Sequence, residues 1–206
     1  MKKILVSLGL ALTISFGTTL DEGVVAYKKG DYKAGLVIFE DLASKNDAIA
    51  QYYLGKMYAN GFGVKKDYLK AKEWFEKAAT QGDAKAQYSL GNIYYDGFGV
   101  KQDYLKAKEW FEKAAAQGNV DAQTNLGIIY YNGFGVKKDY LKAKEWYEKA
   151  AAQGGAEAQY NLGVMYANGQ GVKQDKRVAK QLYGKACDGG IQMGCDNYKL
   201  LNQQGY

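Results

Sequence analysis

Few side chains in this sequence are equipped for covalent or acid–base chemistry. Beyond its first 17 residues the chain holds two serines, Ser44 and Ser89, two cysteines, Cys187 and Cys195, and no histidine. A serine acylation centre needs a base beside its nucleophile, usually as Ser-x-x-Lys. Neither serine has one, since Ser44 is followed by Lys45-Asn46-Asp47 and Ser89 by Leu90-Gly91-Asn92. A cysteine nucleophile would lack a histidine to activate it, and two sulfurs make half a zinc site. Repeated Asp and Glu residues fall on faces expected to be solvated. The pattern assigns no catalytic residue, no metal and no cofactor. What remains is a cysteine pair and a polar, tyrosine-rich surface suited to recognition.

These residues are carried by a unit that recurs every 36 residues. Leu54-Gly55, Leu90-Gly91, Leu126-Gly127 and Leu162-Gly163 keep that step, as do Asp67, Asp103, Asp139 and Asp175, and Trp74, Trp110 and Trp146. The loop Gly61-Phe62-Gly63-Val64 returns at 97–100 and 133–136, and as Gly169-Gln170-Gly171-Val172. A period of roughly 20–50 residues signals a solenoid built by stacking neighbours. Each unit reads as two antiparallel helices. Ala48 to Tyr58 has helical spacing at Ala50, Leu54, Gly55, Met57 and Tyr58, and Tyr58, Tyr94, Tyr130 and Tyr166 read as core. Gly61 and Gly63 break that helix, Phe62 and Val64 anchor the loop, and Asp67 suits an N-cap. Leu69, Ala71, Trp74, Phe75 and Ala78 form the second stripe, and Gly82 suits a left-handed C-terminal cap. Glu73 and Lys77 stand at a favourable i,i+4 spacing.

Full units run 47–82, 83–118, 119–154 and 155–190. A degenerate unit at 20–46, with the short turn Lys28-Lys29-Gly30, precedes them, and 191–206 supplies a capping helix. The signature Ala-Gln-x-x-Leu-Gly-x-x-Tyr, Gly-x-Gly-Val and Asp-x-x-Lys-Ala-x-x-Trp-Phe/Tyr-x-Lys-Ala-Ala-x-Gln-Gly resembles Sel1-like repeats, relatives of the tetratricopeptide repeat. The fourth copy departs most, with Lys176, Val178 and Leu182 in place of Tyr, Lys and Trp. The expected fold is an all-α, right-handed helix-pair solenoid.

Cys187 falls in the slot of Ala79, Ala115 and Ala151, and Cys195 in that of Gln51, Gln87, Gln123 and Gln159. Eight residues apart across a helix–helix turn, they should lie side by side and form a disulfide in an exported protein. A cysteine pair in these contexts is similar to the exported cysteine-rich Sel1-repeat proteins of Helicobacter-type bacteria, although those repeat the pair in most units. That resemblance implies β-lactam binding or weak β-lactamase activity as an alternative role. The absent Ser-x-x-Lys speaks against it.

The first helix varies among copies along one stripe: Ile49, Tyr53, Lys56, Asn60; Lys85, Ser89, Asn92, Asp96; Asp121, Asn125, Ile128, Asn132; Glu157, Asn161, Val164, Asn168. Residues at i, i+4, i+7 and i+11 share one helix face. In helix-pair solenoids this face lines the concave side where partners bind. Tyr52, Tyr88 and Tyr160 lie beside it as aromatic anchors. The expectation is a protein or peptide partner held on the concave face, with a cell-envelope glycan as a further alternative.

Charge excludes little but points away from nucleic acid. Setting aside Lys2 and Lys3, 26 basic residues stand against 22 acidic ones, a net +4, with a single arginine, Arg177. No long basic cluster is present. At the start, Lys2-Lys3, the apolar run Ile4 to Phe16 and Ser15-Phe16-Gly17 read as a signal peptide over 1–17, cleaved after Gly17. The 13-residue apolar run is short of the roughly 20 that span a bilayer, so no membrane attachment is expected after cleavage. No cysteine follows the cleavage site to take a lipid. The expected destination is the periplasm or the exterior.

Overall fold

A computed structural model describes residues 19–206, and the signal-peptide expectation falls outside them. Eleven helices are found among the described residues: α1 (Leu20–Lys28), α2 (Tyr32–Ser44), α3 (Ala48–Asn60), α4 (Tyr68–Thr80), α5 (Ala84–Asp96), α6 (Tyr104–Ala116), α7 (Val120–Asn132), α8 (Tyr140–Ala152), α9 (Ala156–Asn168), α10 (Lys176–Asp188) and α11 (Gln192–Gln203). Each helix packs on the one before and the one after it. The odd-numbered helices also touch along the array, α3 on α5, α5 on α7 and α7 on α9, which places them on the inner side.

The local chemistry sets the boundaries. Gly61 closes α3 at φ 76°, and its N–H returns to the Met57 carbonyl. Asp67 opens α4 by accepting from the N–H groups of Leu69 and Lys70, both at 3.0 Å. Asp139 and Asp175 cap α8 and α10 in the same way. Between the caps, each loop reaches back to the preceding unit. Phe62 stacks on Tyr32 at 4.5 Å, Phe98 on Tyr68 at 4.9 Å and Phe134 on Tyr104 at 4.8 Å. In the fourth loop Gln170 replaces the ring and accepts a hydrogen bond from the Tyr131 hydroxyl at 2.7 Å.

Apolar residues meet in a series of small cores at the joints, each formed by the second helix of one unit and the first helix of the next. Phe75, Ala78, Leu90 and Ile93 share one, with Trp110 of the following helix packed against it. Phe111, Leu126 and Ile129 share the next, with Trp146 against it, and Leu182 takes that place in the third. The second-helix tryptophan therefore glues its unit to the one before. Tyr58, Tyr94, Tyr130 and Tyr166 pack against these cores, as read from the sequence, but are half-buried at their edge. Lysine ammonium groups of the second helices cover three of these rings, Lys70 over Tyr58 at 5.4 Å, Lys106 over Tyr94 at 5.4 Å and Lys142 over Tyr130 at 5.3 Å. The charge pairing also differs from the expected Glu73–Lys77. Lys72 pairs with Glu76 at 2.8 Å, while Lys77 lies over the Trp74 ring at 4.1 Å.

A polar ladder runs through the joints. Gln51, Gln87 and Gln123 are buried. Each accepts from the glutamine that ends the second helix of its unit: Gln81 to Gln51, Gln117 to Gln87 and Gln153 to Gln123, all at 2.8 Å. Gln87, Gln123 and Gln159 donate in turn to the carbonyls of Ala79, Ala115 and Ala151 at 3.2, 3.2 and 3.3 Å. At the last joint the same two slots hold Cys187 and Cys195, which form a disulfide across Cα atoms 4.6 Å apart.

Candidate functional site

The inner face is formed by α3, α5, α7 and α9, and most of the variable stripe is accessible along it. Ile49, Asn60, Lys85, Asp96, Asp121, Asn132, Glu157 and Asn168 are exposed. Tyr53, Lys56, Ser89, Asn92, Asn125, Ile128, Asn161 and Val164 are half-buried, because they sit where successive inner helices converge. Asn125 donates to Asn92 across this seam at 3.2 Å. Ile128 packs against the core between α8 and α9, and Val164 against the core between α10 and α11.

Six of the stripe and anchor residues come together in one hollow of about 300 Å³: Tyr52, Lys56, Asn60, Tyr88, Ser89 and Asn92. The others lie along the same face outside it. Tyr53 departs from the reading as a free stripe residue. Its ring lies flat on Phe39 at 4.8 Å and meets Tyr27 edge-on at 5.1 Å, so it belongs to the junction with α1 and α2. The hollow also contains Ala59, Tyr68, Phe75, Ile93 and Phe98, which the variation among copies did not mark. Phe98 recurs as Phe62 and Phe134 and so reads as scaffold, yet it is 44% exposed.

The anchor tyrosines are seated by repeating geometry. Tyr52 leans on Phe75 at 5.9 Å, Tyr88 on Phe111 at 5.8 Å and Tyr160 on Tyr183 at 5.6 Å. In the third unit that position is Thr124, which is buried and donates to the Val120 carbonyl. Burial, with Asp83 adding to it, pushes the Tyr52 hydroxyl up to about 12. Burial also raises Tyr88, against hydrogen bonding to Asn92. Both are therefore neutral hydrogen-bonding groups on an apolar body at ordinary pH, the type enriched at binding hot spots. Burial raises the Asp96 carboxyl. It lowers the Lys56 ammonium, with the neighbouring charge of Lys85 as the second cause.

The two serines are engaged locally. Ser44 Oγ donates to the Asp41 carbonyl at 2.6 Å and Ser89 Oγ to the Lys85 carbonyl at 2.9 Å. Among the described residues no three of His, Cys, Asp or Glu gather as a metal site, and no helix is long and apolar enough to cross a membrane. The arrangement offers aromatic faces, amide groups and a lysine along an open inner surface, which suits non-covalent recognition.

Comparison with known proteins agrees with this architecture. The family model described as "Sel1 repeat" matches residues 48–83, 84–119, 120–155 and 156–191. A Sel1 repeat protein from Oxalobacter formigenes is 37% identical, with a TM-score of 0.81 over 85% of this chain and 72% of its own. A protective antigen of uropathogenic Escherichia coli is 33% identical with a TM-score of 0.80, over 90% of this chain. The match spans only 42% of that antigen's length. The cysteine-rich protein B of Helicobacter pylori is 28% identical with a TM-score of 0.51, over 66% of this chain and 98% of its own. No curated protein matches.

Proposed function

The chain belongs to the Sel1 repeat family, and from that premise we propose that it is an exported scaffold that binds a peptide or protein segment along its inner face. The observation that carries this reading is the hollow between α3 and α5, where four residues of the varying stripe, Lys56, Asn60, Ser89 and Asn92, converge with the anchor tyrosines Tyr52 and Tyr88 and with exposed aromatic surface. The outer helices α4, α6 and α8 hardly differ from one another, as expected of a framework. Inner helices that keep their buried Ala, Leu and Gly while changing their accessible residues fit a surface adapted to one partner. Export is supported by the disulfide, which persists in oxidising compartments, and by the basic and apolar start of the sequence.

The test is capture from envelope extract by the mature chain and by a variant carrying Tyr88→Ala, Asn92→Ala, Asn125→Ala and Ile128→Ala. The expected result is a partner retained by the parent chain and lost from the variant, with the helical content of both unchanged. Truncating interface anchors of this kind typically costs about 1–2 kcal/mol each, enough together to abolish capture. The same proteins retained by both would place the site off the inner face. Nothing retained by either would turn the question to glycan and β-lactam ligands.

A further inference from the structure

Tyr147 carries a hydroxyl that the fold does not use. It stands on the outer helix α8 in the slot that Phe75 and Phe111 fill in earlier units, so packing there needs no oxygen. The residue is only 2% exposed. Its ring lies across Gly127 of the inner helix α7, where an added Cβ would stand 2.9 Å from Cζ. The hydroxyl on that Cζ therefore points past α7 to the inner side of the array. It makes no hydrogen bond among the described residues, whereas the hydroxyl of Tyr183, one unit further on, bonds to Asn197. Among the described residues no fully buried polar side-chain atom lacks a partner. The Tyr147 oxygen is thus the part of this residue that reaches the surface.

The groups around that oxygen come from three inner helices. Burial raises the Tyr147 hydroxyl, and Tyr131 on α7, Glu157 on α9 and Tyr95 on α5 raise it further. Glu157 acts on Tyr95 and Tyr88 as well. Its carboxylate is exposed and forms no ion pair among the described residues. Tyr131 donates its proton to Gln170 at 2.7 Å, which leaves its oxygen to accept. Tyr95 meets Phe134 edge-on at 6.0 Å and Tyr131 meets Tyr140 edge-on at 5.2 Å, so both rings are held in place. Tyrosine stands at this position in the two central units alone, and its counterparts are Ala59 and Ala167. Neither α7 nor α9 contains a lysine or arginine, although the chain beyond residue 17 carries a net +4. The centre of the inner face is acidic and aromatic on a basic protein.

We infer that the centre of the inner face receives an arginine side chain of the bound segment, its guanidinium held between the Glu157 carboxylate and the hydroxyl oxygens of Tyr147, Tyr131 and Tyr95. The inference rests on the reading of the inner face as a binding surface and names the group it takes there. One carboxylate among phenolic oxygens is a set of acceptors, and a cation rich in N–H donors satisfies them together through charge-assisted hydrogen bonds. Guanidinium is planar, weakly hydrated and stacks on aromatic rings, whereas an ammonium is compact and strongly hydrated. An anion would meet Glu157 with no cation on α7 or α9 to offset it. A metal ion would find a single carboxylate, since no three of His, Cys, Asp and Glu gather among the described residues.

The test is NMR titration of the full mature chain at low salt with N-acetyl-argininamide, whose guanidinium is its only charge. Saturable shifts are expected at the amides of Gly127, Tyr131 and Glu157, with half-saturation at about 1 mM for a ligand this small. N-acetyl-citrullinamide, the neutral isostere, should bind about tenfold more weakly or worse. N-acetyl-lysinamide should bind more weakly than the arginine probe. Glu157→Gln should weaken the arginine probe by about tenfold and Tyr147→Phe by about fivefold. Thermal unfolding of Tyr147→Phe should match the parent, since phenylalanine fills the same slot in earlier units, and this separates a lost contact from a lost fold. Equal binding of the arginine and citrulline probes, a lysine probe as tight as the arginine one, undiminished binding to Glu157→Gln or Tyr147→Phe, or no saturable shift would each overturn the inference. The two readings separate cleanly. Arginine-probe binding at Glu157 with partner capture indifferent to the inner-face substitutions removes the scaffold reading alone. Partner capture that depends on the inner face while the arginine probe fails to bind removes the guanidinium site alone.

Discussion

Replacing Gly55 by alanine is expected to destabilise the array by about 2–3 kcal/mol, the upper part of the range for overpacking a core. Alanine is the better helix former by about 1 kcal/mol, so propensity alone gives the opposite sign. The ring of Phe75 decides the outcome. A Cβ on Gly55 would lie 2.5 Å from both Cδ1 and Cε1 of that ring. Phe75 is only 3% exposed and shares a core with Ala71, Ala78 and Leu90, so any shift of its ring disturbs that packing. The same approach joins Gly91 to Phe111, Gly127 to Tyr147 and Gly163 to Tyr183, which explains why Leu-Gly recurs in every full unit. Gly35 in α2 is the control, because a Cβ there would meet nothing closer than 3.6 Å. Gly35→Ala should raise stability by up to about 1 kcal/mol. Urea midpoints of the two variants should therefore move in opposite directions. A Gly55→Ala chain as stable as the parent would contradict this account of the helix pair.

The second large effect concerns the disulfide. Removing it as Cys187→Ala with Cys195→Ala should cost about 2.5 kcal/mol by the chain-entropy relation for an eight-residue loop. The loss should be local. The helix α11 packs on α10 at the end of the array, and units of a solenoid are stabilised chiefly by their neighbours. Hydrogen exchange should speed up along 192–203 and stay unchanged in α3 to α8. The earlier joints provide a rescue, since they hold alanine and glutamine in these two slots with a glutamine-to-carbonyl hydrogen bond. Cys187→Ala with Cys195→Gln should recover about 1 kcal/mol. Unchanged protection of α11 after loss of both cysteines would show that the bond contributes nothing to this end.

The repeat register by itself specifies the helix-pair architecture. A glycine or aspartate recurring at one step fixes where helices stop and start, and the cysteine slots follow from that register. The roles of several residues were not legible in this way. Spacing along one helix allows Lys77 to meet Glu73, but it cannot register the Trp74 ring, whose face holds that lysine. The same limit applies to the glutamine ladder, since Gln81 and Gln51 are 30 residues apart and meet only when two helices fold back. Variation among copies marked Tyr53 as a free surface residue. It varies because it alone faces α1 and α2, whose rings the other units do not meet. Phe98 was missed for the converse reason, as an invariant loop residue can be both structural and accessible.

The central claim is that partners bind the inner face of the first helices. A photo-crosslinking amino acid placed at Asn125 on α7 tests it most directly, with the same probe at Glu109, exposed on α6, as the comparison. Irradiation in cells should yield a discrete crosslinked partner from position 125 and none from position 109. Crosslinks of equal strength from both positions, or from position 109 alone, would contradict the claim.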